Sequence, residues 1–470
     1  MIFPRDLYLD LRPQLEMDAL PFDPLLEAWI AARFEPGACR DVLERWLEAH
    51  PRWRPCFQPD AVVQGGVVAS PRLLWPEPGP WRLTCQKRSP QGLPLALAAL
   101  ELGDEALSVV AEVLRFGSQG DDWEAFREEC GFLGPEMLGL MAPGPQAAPP
   151  VWPAPDAPGL YRREHASLLI RSATTSLLVD PIGMATAFPH IAQAPLGSER
   201  DEVAAIAITH GHGDHWHLPS LFANASGAEV PLLVPHVPRP SLLSPIAFGP
   251  ALERLGQTGR AVRWGEHVQV GDIRVEALPF YGEQPTRLAP GPDADQRNWG
   301  NCYRITTPEF SAVLLVDSGQ DPEGDMVDVL RDSVRRDGPV DVVLSCMRRF
   351  DSPFFGGLSH YWATLPFERL RELFQQYTRG QLPSTTAGLE GIAALCDAAR
   401  ARYFLPSANG FEGVGVPIRD IGWGAGEPAE APLLARLEEH LRERAVPTRV
   451  LSWLSGERLV FSGREARVTA

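Results

Sequence analysis

The sequence predicts an α/β protein in which a two-sheet sandwich with outer helices follows a smaller, mostly helical N-terminal domain. From residue 160 onward the chain consists of short apolar runs separated by turn residues, a texture typical of strands. Amphipathic helical patterns interrupt these runs at residues 366–377, 389–402 and 433–444. Strands punctuated by helices over one long segment favour sheet layers that are covered by helices.

The N-terminal part has helical rather than strand-like periodicity. Leu25, Leu26, Trp29 and Ile30 have the spacing of one apolar helix face, and the run from Leu95 to Leu114 continues this pattern. No cluster of reactive side chains accompanies these patterns. We therefore expect this part of the chain to serve docking or dimerisation rather than chemistry.

A proline- and glycine-rich stretch at residues 143–159 separates the helical pattern of the N-terminal part from the strand pattern that follows. Neither helix nor sheet persists through so many prolines and glycines, so we interpret this stretch as a linker. The predicted organisation is a mostly helical docking or dimerisation domain at residues 1–142, the linker, and a catalytic domain at residues 160–470.

Composition and charge exclude several classes of function. The chain has 470 residues, 44% of them hydrophobic, and a formal net charge of −17. A nucleic-acid partner is not expected, because binding to a polyphosphate requires an excess of Lys and Arg. The sequence has no apolar N-terminal run and no uncharged apolar stretch of about eighteen residues, so we expect no secretion signal and no membrane span. A cytoplasmic location is the resulting prediction.

The cysteines do not indicate a structural framework. The sequence has 7 of them, widely scattered and without a CxxC pair. An odd, scattered set argues against both a disulfide scaffold and a zinc ribbon.

The strongest local signal is the segment ITHGHGDHWH at residues 208–217, directly after an apolar strand pattern. It places three imidazoles and a carboxylate, those of His210, His212, Asp214 and His215, within six residues. Such clustering of polar groups costs free energy unless something binds them. The spacing suggests that the first two histidines hold one metal ion, while the aspartate and the third histidine follow the bend and hold a second.

This run resembles the HxHxDH motif of the metallo-β-lactamase superfamily, whose αββα sandwich the resemblance implies for residues 160–470. Further landmarks of that family follow in order. Asp180, in LLVDP, matches the buried aspartate that supports the motif loop through hydrogen bonds. Asp317, at the end of the strand FSAVLLVDSG, matches the carboxylate that bridges the two metals.

Two departures from the family pattern carry information. After the strand IRVEALPF, where most members have a histidine that completes the first metal's ligands, this sequence reads YGEQP, so Glu283 takes that place. The segment ARYFLPSANGF resembles the strand and loop that carry the last histidine ligand, and here it offers only Ser407 and Asn409. We therefore also consider His165, beside the expected cleft, and His360, in a glycine-rich loop, as pocket or supporting residues, together with Asn409.

A carboxylate in place of an imidazole makes the site harder and more anionic, which suits iron or manganese better than zinc. Within the fold, this combination resembles the di-iron β-hydroxylases of chloramphenicol biosynthesis and their relatives. The resemblance implies two iron ions, O2 as co-substrate, an external electron donor, and an amino acid held as a thioester on a carrier protein. It also implies catalytic roles for the metal ligand Glu283 and the bridging Asp317.

The residues leave other functions open. A dinuclear zinc or manganese hydrolase would use the same motif to activate water against a lactone, a thioester or a phosphodiester. A degenerate domain used only for binding is a third hypothesis, and the complete HGHGDH run argues against it. Iron content and oxygen-dependent turnover separate the first two.

Overall fold

The computed structural model describes residues 7–14, 23–59, 67–69, 79–88, 94–118, 123–142, 155–163, 165–182, 203–225, 230–241, 243–283, 297–350, 365, 367–409, 430–463 and 465–469. The N-terminal elements are β1 (Leu7–Pro13), α1 (Asp23–Ala31), α2 (Pro36–Ala49), β2 (Phe57–Pro59), β3 (Val67–Ala69), β4 (Trp81–Arg88), β5 (Pro94–Leu102), α3 (Asp104–Ser118), α4 (Trp123–Glu129) and α5 (Gly134–Met141).

Two large sheets follow. The strands of the first sheet are β6 (Gly159–Arg162), β7 (Leu168–Arg171), β8 (Ser176–Val179), β9 (Ala205–Ala207), β10 (Leu232–Pro235), β11 (Gly259–Val262), β21 (Arg458–Ser462) and β22 (Glu465–Thr469). The strands of the second sheet are β12 (His267–Val270), β13 (Ile273–Leu278), β14 (Cys302–Thr306), β15 (Ser311–Leu314), β18 (Val342–Ser345), β19 (Tyr403–Pro406) and β20 (Arg449–Val450). A small hairpin pairs β16 (Gln320–Asp321) with β17 (Gly324–Asp325).

The first sheet has the order β11-β10-β9-β8-β7-β6-β21-β22, and the second has the order β12-β13-β14-β15-β18-β19-β20. Each sheet is mixed, with parallel pairing on one side and antiparallel pairing on the other. Apolar residues of both sheets, such as Leu177 and Tyr303, meet in one buried layer between them. The two sheets therefore form the predicted sandwich.

Helices cover the outer faces of the sandwich. The helices of this part of the chain are α6 (Leu218–Asn224), α7 (Phe248–Arg254), α8 (Met326–Asp337), α9 (Phe367–Thr378), α10 (Gly388–Ala399) and α11 (Glu430–Glu443), and all of them except α9 lie on a sheet. Helices α6 and α7 pack outside the first sheet, and α8, α10 and α11 pack outside the second. The last three helical patterns predicted from the sequence correspond to α9, α10 and α11, so the αββα class is confirmed.

The described N-terminal residues contain helices, as predicted, and also an antiparallel sheet with the order β1-β4-β5. The helical interpretation of residues 95–114 is therefore wrong for its first half, which is strand β5, and right for its second half, which is α3. In β5, Ala98 and Leu102 are buried while Leu97 is exposed, an alternation that pairing with β4 enforces. Tertiary pairing here overrides the helix propensity of Ala and Leu.

The N-terminal part does not stand apart from the sandwich. Its sheet and α3 share one hydrophobic core with α6, α7 and strand β10. Helices α1 and α2 pack separately against α9, where Trp29 meets the ring of Phe367 edge-on. Helix α6 begins at Leu218, three residues after the HGHGDH segment ends, so the N-terminal sheet packs against the chain that follows the motif. Among the described residues, no helix combines the length and the apolar character needed to cross a bilayer.

Candidate metal centre

The predicted site residues lie in loops at one edge of the sandwich, because the strands that precede them end there. Asp180 follows β8, the HGHGDH segment follows β9, Glu283 follows β13 and Asp317 follows β15. Strand β7 runs antiparallel to β8, with Leu168 opposite Val179. The turn between β6 and β7, which carries His165, therefore reaches the same edge.

The first group of candidate ligands consists of His210, His212 and Glu283. Their donor atoms lie within 4.8 Å of one another. One oxygen of the carboxylate, Oε1, is 2.6 Å from Nδ1 of His212 and 3.5 Å from Nε2 of His210. The structure thus brings the glutamate that replaces the usual histidine to the two histidines with which it was predicted to act.

Glu283 is held in place by contacts that the sequence did not reveal. Its backbone has the left-handed φ of 54°, and its peptide N–H and carbonyl are both hydrogen-bonded to Thr385, the carbonyl accepting from the threonine hydroxyl at 2.7 Å. The Asn298 side-chain amide donates to Oε2 of Glu283. With Oε2 engaged in this way, Oε1 is left to face the histidines, which is the arrangement of a ligand that binds one metal through one oxygen.

A buried arginine fixes the two chain segments around Glu283. Arg297, next to Asn298, forms an ion pair with Asp321 at 2.7 Å and donates to the carbonyl of Phe280 at 3.0 Å. Asp321 in turn accepts from the peptide N–H of Gly282. The guanidinium also lies 5.1 to 5.5 Å from the ring centroids of three aromatic residues, Trp264, Tyr281 and Trp299. These contacts tie the YGE turn to the segment that supplies Asn298.

The second group combines Asp214 and His215 with His165. The Nε2 atom of His165 is 3.1 Å from Oδ2 of Asp214 and 3.3 Å from Nε2 of His215. Asp317 lies between the two groups: its Oδ2 is 3.1 Å from Nε2 of His215 and 3.9 Å from Nε2 of His210. Asp317 is therefore near both groups, and its role as a bridging carboxylate stays a prediction.

Asp180 supports the motif loop from behind. Its carboxylate accepts from the peptide N–H of Thr209 at 2.7 Å and from the Thr209 hydroxyl at 2.5 Å, and lies 2.8 Å from Nδ1 of His215. All three residues are fully buried. A proton on Nδ1 of His215 that is donated to Asp180 leaves the lone pair of Nε2 free for a metal.

Burial and neighbouring opposite charges shift the pKa values of several site residues in opposite directions. Burial alone would lower the pKa of His212, but the charge and hydrogen bond of Glu283 raise that pKa to about 9. Burial would raise the pKa of Glu283, yet the charges of His212 and His210 hold it below its ordinary value. Likewise, the charge of His215 holds the pKa of Asp214 well below its ordinary value despite burial. The protein thus keeps carboxylate charge beside imidazoles, as a cation site requires.

The donor set fits a pair of metal ions. Nε2 of His210 is buried and makes no hydrogen bond within the described residues, although it faces Glu283 and Asp317. A buried polar nitrogen without a partner costs about 1–3 kcal/mol, a cost that coordination would remove. Side chains of His212 and Asp214 are 27% and 43% exposed, so among the described residues the site opens on their side.

The structure does not place His360 or Asn409, the other predicted pocket residues, in either ligand group. His360 lies outside the described residues. Asn409 is near β19, but its amide oxygen accepts from the peptide N–H of Met347 and its nitrogen donates to Glu430, so it is not part of either group. Sequence reasoning missed Thr209, Asn298 and Thr385. The signal for Thr209 was its place directly before His210, whereas the contacts of the other two depend on the tertiary fold.

Comparison with known proteins agrees with this architecture. Residues 175–356 match the β-lactamase superfamily domain. CmlA, a di-iron β-hydroxylase from Streptomyces venezuelae, has a similar structure, with 16% identity and a TM-score of 0.59 over 100% of this chain and 99% of that one. Curated UPF0173 proteins from Pyrococcus furiosus and Pyrococcus abyssi are each 30% identical over 126 residues, which is 27% of this chain.

The chain spans about half the length of these curated relatives, 49% in both cases, so they bear on only part of either protein. The likeness to CmlA, in contrast, extends over nearly the whole of both chains and includes the N-terminal part. The site geometry, the domain match and the shared architecture all agree with a metallo-β-lactamase fold. Residues 175–356 therefore match the β-lactamase superfamily domain, and the two-sheet sandwich has the metallo-β-lactamase fold.

Proposed function

We propose that this protein is a non-haem di-iron oxygenase that hydroxylates an unactivated C–H bond, at the β-carbon of an amino acid carried on a carrier protein. The observation that carries the proposal is the position of Glu283, whose Oε1 atom faces His210 and His212. With Asp214 and Asp317, this residue gives the site three carboxylates. Carboxylate-rich sites favour iron or manganese over zinc.

The pair of iron ions, when bound, would supply the activation of O2 and the oxidation of the C–H bond. The chain's own residues position and tune that pair. Asp317, which lies between the two groups, would be a ligand available to either ion, Asp180 orients His215, and Asn298 restrains Glu283. The substrate would approach from the side on which His212 and Asp214 are partly exposed.

The proposed substrate class is based on the similarity of the whole structure to that of CmlA. CmlA is a di-iron β-hydroxylase, and its similarity to this chain extends to the N-terminal part as well as to the sandwich. Here that part packs on α6, directly after the HGHGDH segment. We assign it to docking of a carrier protein, or of a second copy of the chain, beside the site. An external electron donor completes the proposed reaction.

The second candidate is a dinuclear zinc or manganese hydrolase acting on a lactone, a thioester or a phosphodiester. The observation that favours it is the fourth imidazole, that of His165, in the group with Asp214 and His215. Additional imidazole makes the second position softer and more acceptable to zinc. A metal-bound water of lowered pKa would then be the nucleophile.

The test supplies the iron-loaded, chemically reduced protein with amino acids thioesterified to a phosphopantetheinylated carrier protein, under 18O2 or without oxygen. We expect an amino acid that remains on the carrier and has gained one labelled oxygen atom, with no product in the anaerobic sample. His210→Ala is the control and should give no product. Release of the free amino acid at equal rates with and without oxygen would overturn the proposal in favour of the hydrolase.

A further inference from the structure

The loop after β19 lacks the histidine that the family pattern places there, and the turn between β6 and β7 lies against this loop. The peptide N–H of Ala408 donates to the carbonyl oxygen of His165 at 3.3 Å. Ser407, one residue earlier, is buried and donates its own peptide N–H to Ser345. The turn that carries His165 is therefore next to the position from which the missing ligand would come.

The imidazole of His165 points to the second group of ligands. Its side chain is 4% exposed, and Nε2 is 3.1 Å from Oδ2 of Asp214 and 3.3 Å from Nε2 of His215. The ring centroids of the two histidines are 5.0 Å apart, and their planes are inclined by 68°. The rings thus meet edge-on through their Nε2 atoms and do not stack.

The backbone of His165 supports a specific placement. Its φ of 52° is in the left-handed region, which is uncommon for residues with a Cβ and costs free energy. The hydrogen bond from Ala408 holds the turn in this conformation. Strained backbone that the surroundings keep in place is a frequent feature of functional sites.

Three atoms that can each bind a cation converge here. In the neutral tautomer in which Nδ1 of His215 donates to Asp180, Nε2 of His215 presents a lone pair. Oδ2 of Asp214 is also an electron-pair donor. A proton on Nε2 of His165 can serve one of these atoms at a time, whereas a cation between them is attracted by all three.

We infer that His165 is a metal ligand, which binds the second ion through Nε2 together with Asp214 and His215. It takes the role of the histidine that is absent after β19, and it reaches the site from the first sheet. This inference concerns the ligand set and holds for iron, manganese or zinc alike. Its failure is therefore distinguishable from failure of the proposed oxygenase activity.

The test measures binding of Co²⁺ and Zn²⁺ to the metal-free full chain, by titration and by the number of ions retained. His165→Gly suits the left-handed backbone and removes the imidazole. We expect it to bind the first ion like the unaltered chain and the second about 10- to 100-fold more weakly. Added imidazole should restore the second ion and the Co²⁺ absorption spectrum.

Two further variants separate ligation from other roles. His165→Gln can place an amide N–H near the position of Nε2 and so still donate a hydrogen bond to Asp214, but it is a poor metal ligand, so it should also lose the second ion. His217→Ala is a matched control, because this buried histidine contacts Ser220 at the start of α6, and it should retain both ions. Tight binding of two ions by His165→Gln would overturn the inference and leave His165 as a hydrogen-bond donor only.

Discussion

The Glu283→His variant is expected to remain folded and metal-loaded, to take up zinc more readily, and to lose oxygen-dependent activity by about 100-fold or more. A carboxylate gives the metal negative charge, which stabilises higher oxidation states, and a neutral imidazole does not. Histidine is also among the residues that tolerate the left-handed φ of 54° found here. The substitution therefore changes the ligand without adding strain to the backbone.

The matched control for this prediction is Glu283→Gln, which keeps the size of the side chain and the capacity to accept from Asn298 while removing the charge. We expect it to bind iron less tightly and to consume little O2. Iron stoichiometry and O2 consumption are to be measured in both variants. Unimpaired oxygen chemistry in the glutamine variant would mean that Glu283 only shapes its turn, and would remove the main argument for an oxygenase.

The Asp180→Asn variant should lose both stability and the second metal ion. Asp180 accepts two hydrogen bonds from Thr209 and contacts Nδ1 of His215, all in a fully buried environment. An amide has one acceptor oxygen and turns two N–H donors toward these groups. We expect a loss of about 2–3 kcal/mol in the free energy of unfolding, and about 10- to 100-fold weaker binding of the second ion.

Glu276→Gln is the control for Asp180→Asn. Glu276 is a buried carboxylate on β13 that pairs with Arg336, and it belongs to neither ligand group. Its variant should lose stability and still bind two ions. Chemical denaturation and metal titration measure the two effects separately. Equal metal affinity in both variants would show that Asp180 does not position His215.

Residues that act through a local motif could be predicted from the sequence. The HGHGDH segment and the strand-end aspartates Asp180 and Asp317 each follow a recognisable apolar strand, and parallel neighbours bring such strand ends to one edge. Glu283 was found by the same reasoning, as the residue in a place where a histidine was expected.

Contacts between distant loops could not be predicted in this way. His165 reaches Asp214 because β7 runs antiparallel to β8, and that pairing is not visible in the residues of the turn. Asn298 contacts Glu283 because the ion pair between Arg297 and Asp321 holds the segment that contains Asn298 beside the YGE turn. Strand β5 was mistaken for helix because a run of Ala and Leu satisfies helical periodicity, and its pairing with β4 decides otherwise.

The most direct test of a dinuclear iron centre is the metal content of the full chain purified without added metal, measured by elemental analysis and by Mössbauer spectroscopy of 57Fe-enriched protein. The ligand set of His210, His212 and Glu283 on one side, and His165, Asp214 and His215 on the other, with Asp317 between them, predicts about two iron ions per chain that are magnetically coupled. Stoichiometric zinc without iron, in a protein that hydrolyses its substrate in the absence of oxygen, would contradict the account.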